Sequence, residues 1–346
     1  MKKCTIIRRI WRRRQQPDER GIALLLTLLV TVILAVVVLE FNYLMRVYAT
    51  LSGNLVEDLR AEAAALTGVE TAKALLLNDA LADMKKTAAF DALTEEWASE
   101  IKVETSSTAT EASISDEMGK LNLNRLVRRP TDEQGTETVN TTMVENVRRL
   151  FELLELDPSL VEAVIDWIDT NDQEEPFGAE NAYYETLDPP ILCKNGPLDS
   201  VEELLLIKGF DKTILYGDEE KPGLAKFVTV FGDSQGLVNI NTADEKVLAA
   251  LLNSDSLASS AVSAREAAPF ESAQDISSRL SIPDILQKLT TRSSYFLVTS
   301  TGRILPESPS PHSVQIRSLL KRAYGEDGVP QGDQITIMTA SWKVER

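Results

Sequence analysis

Cysteine and histidine are nearly missing from this chain of 346 residues, which holds two cysteines and a single histidine. No set of Cys and His residues is present that could hold zinc or another soft metal ion. The sequence also lacks a Walker phosphate-binding loop and a dinucleotide-binding glycine fingerprint. These absences argue against a zinc protein, a disulfide-rich domain and a nucleotide-dependent enzyme.

Positive charge is scarce outside the N-terminus. Residues 1–21 carry eight Lys and Arg residues against Asp18 and Glu19, so the net charge of −17 for the whole chain leaves −23 on the other 325 residues. A body this acidic repels phosphate groups instead of neutralising them. Binding of nucleic acid is therefore disfavoured.

Only one uncharged stretch is long enough to span a bilayer. Residues 22–39 contain no charged side chain, and as a helix they would cover roughly 27 Å. The basic residues all precede this stretch, so the positive-inside rule keeps the leader in the cytoplasm and sends the body outward. The alternative is a secretory signal cleaved after Ala49, for which the apolar run is unusually long.

The remaining pattern predicts an α+β fold. Residues 40–86 lack proline and repeat apolar residues at helical spacing, which predicts an amphipathic helix lying on a globular body. Alternation of apolar and polar residues predicts strands at 101–108, 112–115, 295–300, 313–320 and 335–344, with glycines 325, 328 and 332 marking the last turn. Short helices between residues 130 and 290 indicate a helical insertion in a sheet domain.

The boundary between the leader and the apolar run resembles the processing site of type IV pilin-like precursors. In that superfamily a prepilin peptidase cuts after the glycine that corresponds to Gly21, and the new N-terminal residue, here Ile22, is methylated. Most members carry Glu at the fifth mature position, where this chain has Leu26. An unpaired carboxylate has a high free-energy cost in lipid, so a subunit with Glu at this position needs a partner in the subunit ahead of it. A subunit with Leu there has no such need. Cleavage would also remove Cys4 and leave Cys193 unable to form an internal disulfide.

Five segments resemble the minor pseudopilin K family of type II secretion systems, in the order that the family has. They are residues 116–124, 166–169, 178–184, 198–209 and 238–243. The resemblance implies a pilin-like fold, a long N-terminal helix packed on an antiparallel sheet, with an all-α insertion of two SAM-like bundles. The expected parts are a cleaved leader at 1–21, a transmembrane helix at 22–44, a pilin-like domain at 45–128 and 291–346, and the insertion at 129–290.

One loop is dense in carboxylates. Residues 166–188 contain eight Asp and Glu residues and no Lys or Arg. Asp169, Asn171, Asp172 and Glu180 offer the hard oxygen ligands that Ca²⁺ takes, although the EF-hand spacing is not met. The alternative is a solvated acidic loop. Members of the resembled family bind calcium in this loop, which favours the metal site.

Two further segments match known functional motifs but lack features that those motifs require. Residues 232–236 match G-x-S-x-G, but the elbow of α/β-hydrolases needs a helix at Ser234, whereas a helix is expected only from an N-cap at Thr242. Residues 204–210 and 238–243 resemble helix-hairpin-helix DNA-binding modules but lack their paired glycines and basic residues. A Gly-rich turn and a small helical core are the simpler interpretations.

These observations predict a non-enzymatic assembly subunit of the inner membrane, single-pass, with a periplasmic body. The resemblance implies a place at the tip of the pseudopilus, where the subunit initiates and caps assembly. The implied partners are minor pseudopilins I and J, minor pseudopilin H and the major pseudopilin. The alternative is a signal-anchored periplasmic module that binds a ligand such as DNA through the helix-hairpin-helix segments.

Overall fold

The structure is a computed structural model that describes residues 19–86, 88–130, 136–281, 288–305, 313–323 and 336–345. The chain divides into two units, Met1–Leu59 and Arg60–Arg346. Residues 1–18 of the predicted leader, His312 and the predicted turn glycines 325, 328 and 332 lie outside the described residues.

The described helices are grouped apart from the strands of the main sheet, as the α+β prediction requires. The helices are α1 (Glu19–Asp83), α2 (Thr141–Leu153), α3 (Leu160–Ile168), α4 (Asn181–Tyr184), α5 (Lys212–Tyr216), α6 (Glu245–Leu252), α7 (Asp255–Ala267) and α8 (Ala273–Leu280). The strands are β1 (Ile101–Glu104), β2 (Thr108–Asp116), β3 (Leu121–Asn122), β4 (Val127–Arg128), β5 (Thr138–Val139), β6 (Val228–Thr229), β7 (Val238–Asn239), β8 (Leu289–Thr290), β9 (Tyr295–Ile304), β10 (Ser313–Ala323) and β11 (Thr336–Glu345). The α+β class predicted from the sequence is confirmed.

In the first unit, the described residues belong to the N-terminal part of α1. Residues 21–56 are all exposed, including every apolar side chain of the uncharged run. The helix is long and apolar enough to cross a membrane. Apolar side chains on all faces are typical of a helix whose solvent is lipid.

The second unit is built on a five-stranded antiparallel sheet in the order β1-β2-β9-β10-β11. Strand β9 lies at its centre and alternates inward and outward residues along its length, as a half-buried strand does. The strands predicted at both ends of the chain therefore meet in one sheet. The helical segments between β2 and β9 form an insertion in this topology.

Small residues let the C-terminal part of α1 lie very close to this sheet. Ala61, Ala65 and Ala72 are fully buried against it. A Cβ added to Gly302 on β9 would lie 2.1 Å from the carbonyl oxygen of Ala61. The side-chain hydroxyl of Ser300 donates to the carbonyl oxygen of Ala65 at 2.6 Å. The predicted amphipathic helix therefore packs on the sheet through small residues at its closest approach, and Val69 and Leu76 are buried in the same cluster.

A second, larger hydrophobic cluster holds the helical part together. It includes Phe151, Ile168, Leu248 and Phe270. It also includes Leu121, which precedes the predicted start of the insertion. The inserted domain predicted at residues 129–290 thus shares its core with residues just before it. Its exact limits stay a prediction.

The fully buried Arg322 on β10 ties α1 to the loop that follows it. Its guanidinium donates to Asp79 at 3.0 Å, to Asp91, and to the carbonyl oxygen of Ser293 at 2.8 Å. Burial, together with the charges of Glu95 and Asp91, raises the pKa of Asp79 to about 7. Arg322 is the cation that compensates this group of carboxylates.

Asp116, at the end of β2, joins the sheet to the helical part. One carboxylate oxygen accepts hydrogen bonds from Asn239 (3.1 Å), Thr242 (2.6 Å) and Ser293 (2.5 Å), and the other accepts one from the backbone of Met118 (2.8 Å). Burial raises the pKa of Asp116 to about 6 in spite of these donors.

The predicted N-cap at Thr242 is wrong, because the hydroxyl of Thr242 is used at this junction. Helix α6 begins three residues later and is capped by Asp244, whose carboxylate accepts the backbone N–H of Lys246 at 3.0 Å.

We expect Arg322→Ala to lower the free energy of unfolding by roughly 3–5 kcal/mol, because it leaves buried carboxylates without their cation. Urea unfolding in mild detergent, followed by tryptophan fluorescence, measures this. Arg303→Ala, which removes a partly exposed pair with Glu111 on the same sheet, should cost less than about 1 kcal/mol. Equal losses in the two variants would contradict this account of Arg322.

Candidate metal centre

The acidic loop is held between two helices whose aromatic residues pack together. Helix α3 buries one apolar face in the large cluster and ends at Ile168, so Asp169 is the first residue of the loop. Helix α4 follows Glu180, and the rings of Trp167 and Tyr184 meet edge to face with centroids 5.1 Å apart. Both ends of the loop are therefore anchored in the core.

Asp166 lies beneath the loop and binds its backbone. This fully buried carboxylate accepts the backbone N–H of Glu175 through both oxygens, at 3.1 and 3.3 Å. A Cβ on Gly178 would lie 1.9 Å from an oxygen of Asp166, so only glycine allows the loop to close over it. Burial raises the pKa of Asp166 to about 6.

Asp169 and Glu180 are buried, but three of their four carboxylate oxygens lack hydrogen-bond donors. Asp169 is 5% exposed and Glu180 is 4% exposed. Oδ1 of Asp169 and both carboxylate oxygens of Glu180 have no hydrogen-bond partner. The nearby thiol of Cys193 donates to the carbonyl oxygen of Asp166 at 3.4 Å. Buried carboxylate oxygens without donors are costly unless a cation or a proton joins them.

The pKa values of Glu180 and Asp169 are raised, as expected for buried carboxylates without a cation. Burial, followed by the charges of Asp166, Asp169 and Asp172, raises the pKa of Glu180 to about 7. Burial and the charges of Glu137 and Glu175 raise the pKa of Asp169 to about 6. The charges of Asp169 and Asp172 thus both act on Glu180. The grouping of these residues around one ion stays a prediction.

Asn171 is arranged differently from the other predicted ligands. It is exposed, its side-chain oxygen accepts the backbone N–H of Gln173 at 2.7 Å, and its amide nitrogen donates to Asp169 at 2.9 Å. Its oxygen is thus engaged in a turn. Its role as a ligand stays a prediction, as do those of Asp169, Asp172 and Glu180.

Asn195 reaches the site from outside the loop and was missed by the sequence analysis. Its amide nitrogen donates to Asp172 at 3.1 Å, and its side-chain oxygen is buried without a partner. The residue has a left-handed backbone, with φ of 46°. The Asn-Gly pair at 195–196 signals a turn, but nothing local connects that turn with a loop more than twenty residues away.

Within the described part of the chain, no Lys or Arg forms an ion pair with Asp166, Asp169, Asp172 or Glu180. Two lysines in this region have other partners: Lys208 donates to the carbonyl oxygen of Gly178 at 2.7 Å, and Lys194 pairs with Asp199 and Glu203. The arrangement therefore offers several oxygen atoms, negative charge and no internal cation. Chemically, it is suited to holding a hard divalent cation.

The G-x-S-x-G segment forms a turn between β6 and β7. One carboxylate oxygen of Asp233 accepts the backbone N–H groups of Gln235, Gly236 and Leu237. Ser234 is exposed and is followed by a strand instead of a helix. The geometry of a nucleophile elbow is therefore not formed.

Comparison with known proteins identifies relatives of this chain. Two models of the family described as "Type II secretion system (T2SS), protein K" match residues 119–232 and 238–298. A type II secretion system protein K of Klebsiella pneumoniae is 29% identical over 229 residues, 65% of this chain and 66% of that protein. One of Aeromonas hydrophila is 34% identical over 114 residues, 32% of this chain and 33% of that protein. The chain thus matches less than two thirds of the length of each relative.

A solved structure shares the fold. It is the crystal structure of the GspK-GspI-GspJ complex from the type 2 secretion system of enterotoxigenic Escherichia coli. The matching chain has a TM-score of 0.59 and 19% identity, and the match covers 82% of this chain and 96% of that chain. The predicted pilin-like fold is confirmed.

We expect the protein without divalent cations to become more stable as the pH falls from 8 to 5. The folded-state pKa values of Glu180 and Asp169 lie above the ordinary values of 4.5 and 3.8. The folded state therefore takes up protons that the unfolded chain does not bind until lower pH. The gain should be on the order of 2 kcal/mol. Thermal unfolding in chelator measures it.

Glu180→Gln should flatten this pH dependence, because the amide does not titrate. Glu185→Gln, an exposed change in the same region, should leave the dependence as it is. Identical pH profiles for the wild type and Glu180→Gln would contradict the role assigned to Glu180. The pKa values of Asp79, Asp116 and Asp166 are also raised, so these residues add to the same pH dependence. The contribution of Glu180 is therefore the difference in pH dependence between the wild type and Glu180→Gln.

Proposed function

Because the chain belongs to the type II secretion system protein K family, we propose that it is the minor pseudopilin at the tip of a periplasmic pseudopilus. The family match over residues 119–232 and 238–298 is the observation that carries this proposal. In this role the protein initiates and caps the assembly that exports folded proteins across the outer membrane. It acts as a structural subunit and not as an enzyme.

The N-terminal part of α1 would anchor the precursor in the inner membrane, with the body in the periplasm. Prepilin peptidase cleaves after Gly21, and Ile22 becomes the methylated N-terminus. Support comes from the basic residues that precede the uncharged run and from the exposure of residues 21–39. Mass analysis of the mature chain distinguishes this proposal from a signal-anchored module, which would keep Met1 or begin at Thr50.

The leading position follows from the fifth mature residue. Leu26 offers no carboxylate to a preceding subunit, so nothing in the apolar run needs a neighbour ahead of it. We place minor pseudopilins I and J beside the chain, by analogy with the GspK-GspI-GspJ complex of the Escherichia coli proteins. Minor pseudopilin H and the major pseudopilin would lie beneath these three subunits in the pseudopilus.

The acidic loop would bind Ca²⁺. Asp169, Asp172, Glu180 and Asn195 present oxygen atoms only, and most of these oxygens are buried without donors. Such a donor set fits Ca²⁺, which takes six to eight oxygen ligands in flexible geometry. The bound ion would neutralise the loop and hold its two ends together. Its effect is structural.

We expect free Ca²⁺ at one hundred times its dissociation constant to raise the melting temperature by about 5–10 °C. Asp169→Ala should remove most of this gain, because it deletes a buried ligand, whereas Glu185→Gln should keep it. Mg²⁺ at equal concentration should stabilise less, since it loses its water reluctantly. A melting temperature that is the same with calcium and with chelator would exclude the site.

The tip position is tested by photo-crosslinking in membranes. We expect a photoreactive residue at the exposed Leu51 to crosslink to subunit I or J. Leu26→Glu should reduce the yield several-fold and impair secretion, because a carboxylate without a partner costs roughly 2.5–3.5 kcal/mol in lipid. Leu26→Ala is the matched control and should crosslink as the wild type does. Undiminished crosslinking and secretion in Leu26→Glu would refute the leading position.

A further inference from the structure

A polar cavity of about 260 Å³ lies between the sheet and the helical part, and none of the predicted metal ligands lines it. Its lining includes Asn122, Arg125, Arg129, Phe231 and Tyr295. No Asp or Glu lines it, although the chain carries 53 acidic residues and a net charge of −17. Two guanidinium groups, an amide and a phenol together make a lining rich in hydrogen-bond donors.

The guanidinium of Arg125 has no acceptor among the described residues, and its Nε is buried without a partner. Its backbone is fixed, because its carbonyl oxygen accepts the side chain of Asn140 at 3.0 Å. Gly236, with φ of 72°, makes room for it, since a Cβ there would lie 2.9 Å from Cγ of Arg125. The second glycine of the G-x-S-x-G segment therefore serves to admit this arginine.

Asn122 adds a second donor. The residue is 4% exposed, and its side-chain oxygen accepts the backbone N–H of Asn124 at 3.0 Å. Its amide nitrogen makes no hydrogen bond in the described structure and borders the cavity beside Gly232. Asn124 fixes the walls by donating to the carbonyl oxygens of Leu198 and Val230, both at 2.9 Å.

Two charged side chains line the cavity, those of Arg125 and Arg129. Arg129 is neutralised by Glu137 at 3.1 Å and also donates to the carbonyl oxygen of Ile168. The neighbouring Asp233 directs one oxygen to three backbone N–H groups of its own turn. The ammonium of Lys321 lies 5.4 Å from the ring centre of Tyr295. Among the residues that line the cavity, Arg125 is thus the cation without an ion pair in the described structure.

We propose that this cavity binds the carboxylate group of a ligand, with Arg125 and Asn122 as its principal donors. Unpartnered donors around a confined space fit an acceptor-only group, and a guanidinium fits the planar carboxylate. A single uncompensated positive charge matches a monoanion better than the higher charge of phosphate. An adjoining cleft of about 570 Å³ shares Phe231 with the cavity and has room for the rest of the ligand. Its lining mixes apolar residues such as Leu215 with charged ones such as Glu202 and Arg317.

Acetate is the simplest probe, and the full-length protein in detergent is the sample. Saturation-transfer NMR should detect binding of acetate with a dissociation constant in the millimolar range. Arg125→Gln should weaken it at least tenfold, as expected for loss of a charge-assisted hydrogen bond. Arg303→Gln changes the net charge equally on a distant part of β9 and should leave binding intact. No acetate binding, or equal binding in the two variants, would overturn the proposal.

Asn122→Asp provides an independent test if Arg125→Gln folds poorly. Aspartate keeps the acceptor for the backbone of Asn124 but places a carboxylate in the cavity, so acetate binding should be lost. Retained binding would contradict the proposed site. Competition at constant ionic strength decides the ligand class: phosphate should displace acetate only at higher concentration than acetate itself requires. Stronger binding of phosphate would refute the match to a single negative charge.

Discussion

The buried carboxylate of Asp116 holds the sheet and the helical part in one arrangement. Its four hydrogen bonds come from Met118 in the sheet domain, from Asn239 and Thr242 in the helical part, and from Ser293 at the start of the returning strands. Ser293 in turn contacts Asp91 and Arg322, so the network extends to α1. A buried charge is tolerated only when its hydrogen bonds are complete, and this requirement allows one relative position of these segments.

The acidic loop also buries carboxylates, but the fold does not supply donors to all of their oxygens. Asp116 and Glu180 are both buried and both have raised pKa values. The carboxylate of Asp116 is surrounded by donors that the fold supplies, whereas both oxygens of Glu180 have none. A carboxylate group left in this condition is stable only with a proton or a cation from outside. The contrast explains why a structural role fits the first residue and a metal-binding role is proposed for the second.

Helix α1 serves two environments with one continuous backbone. From Ile22 to Leu39 its side chains are uncharged and exposed on every face, which suits lipid. From Ala61 onward one face consists mainly of small residues that touch the sheet, and hydroxyl groups of the sheet donate to its carbonyl oxygens. Close approach through small residues makes this packing sensitive to any added volume.

The amino-acid sequence by itself determined the apolar run, the helix that continues it, the alternating strands and the carboxylate-rich loop, because each depends on residues that are neighbours in the chain. It placed the cap of α6 at Thr242 in error, since the partner that occupies this hydroxyl, Asp116, lies 126 residues away. Asn195 at the loop and Arg125 at the cavity were likewise beyond its reach. Only the tertiary structure decided which buried oxygens lack donors and which guanidinium lacks an acceptor, because hydrogen-bond completion depends on contacts between distant segments and has no local pattern.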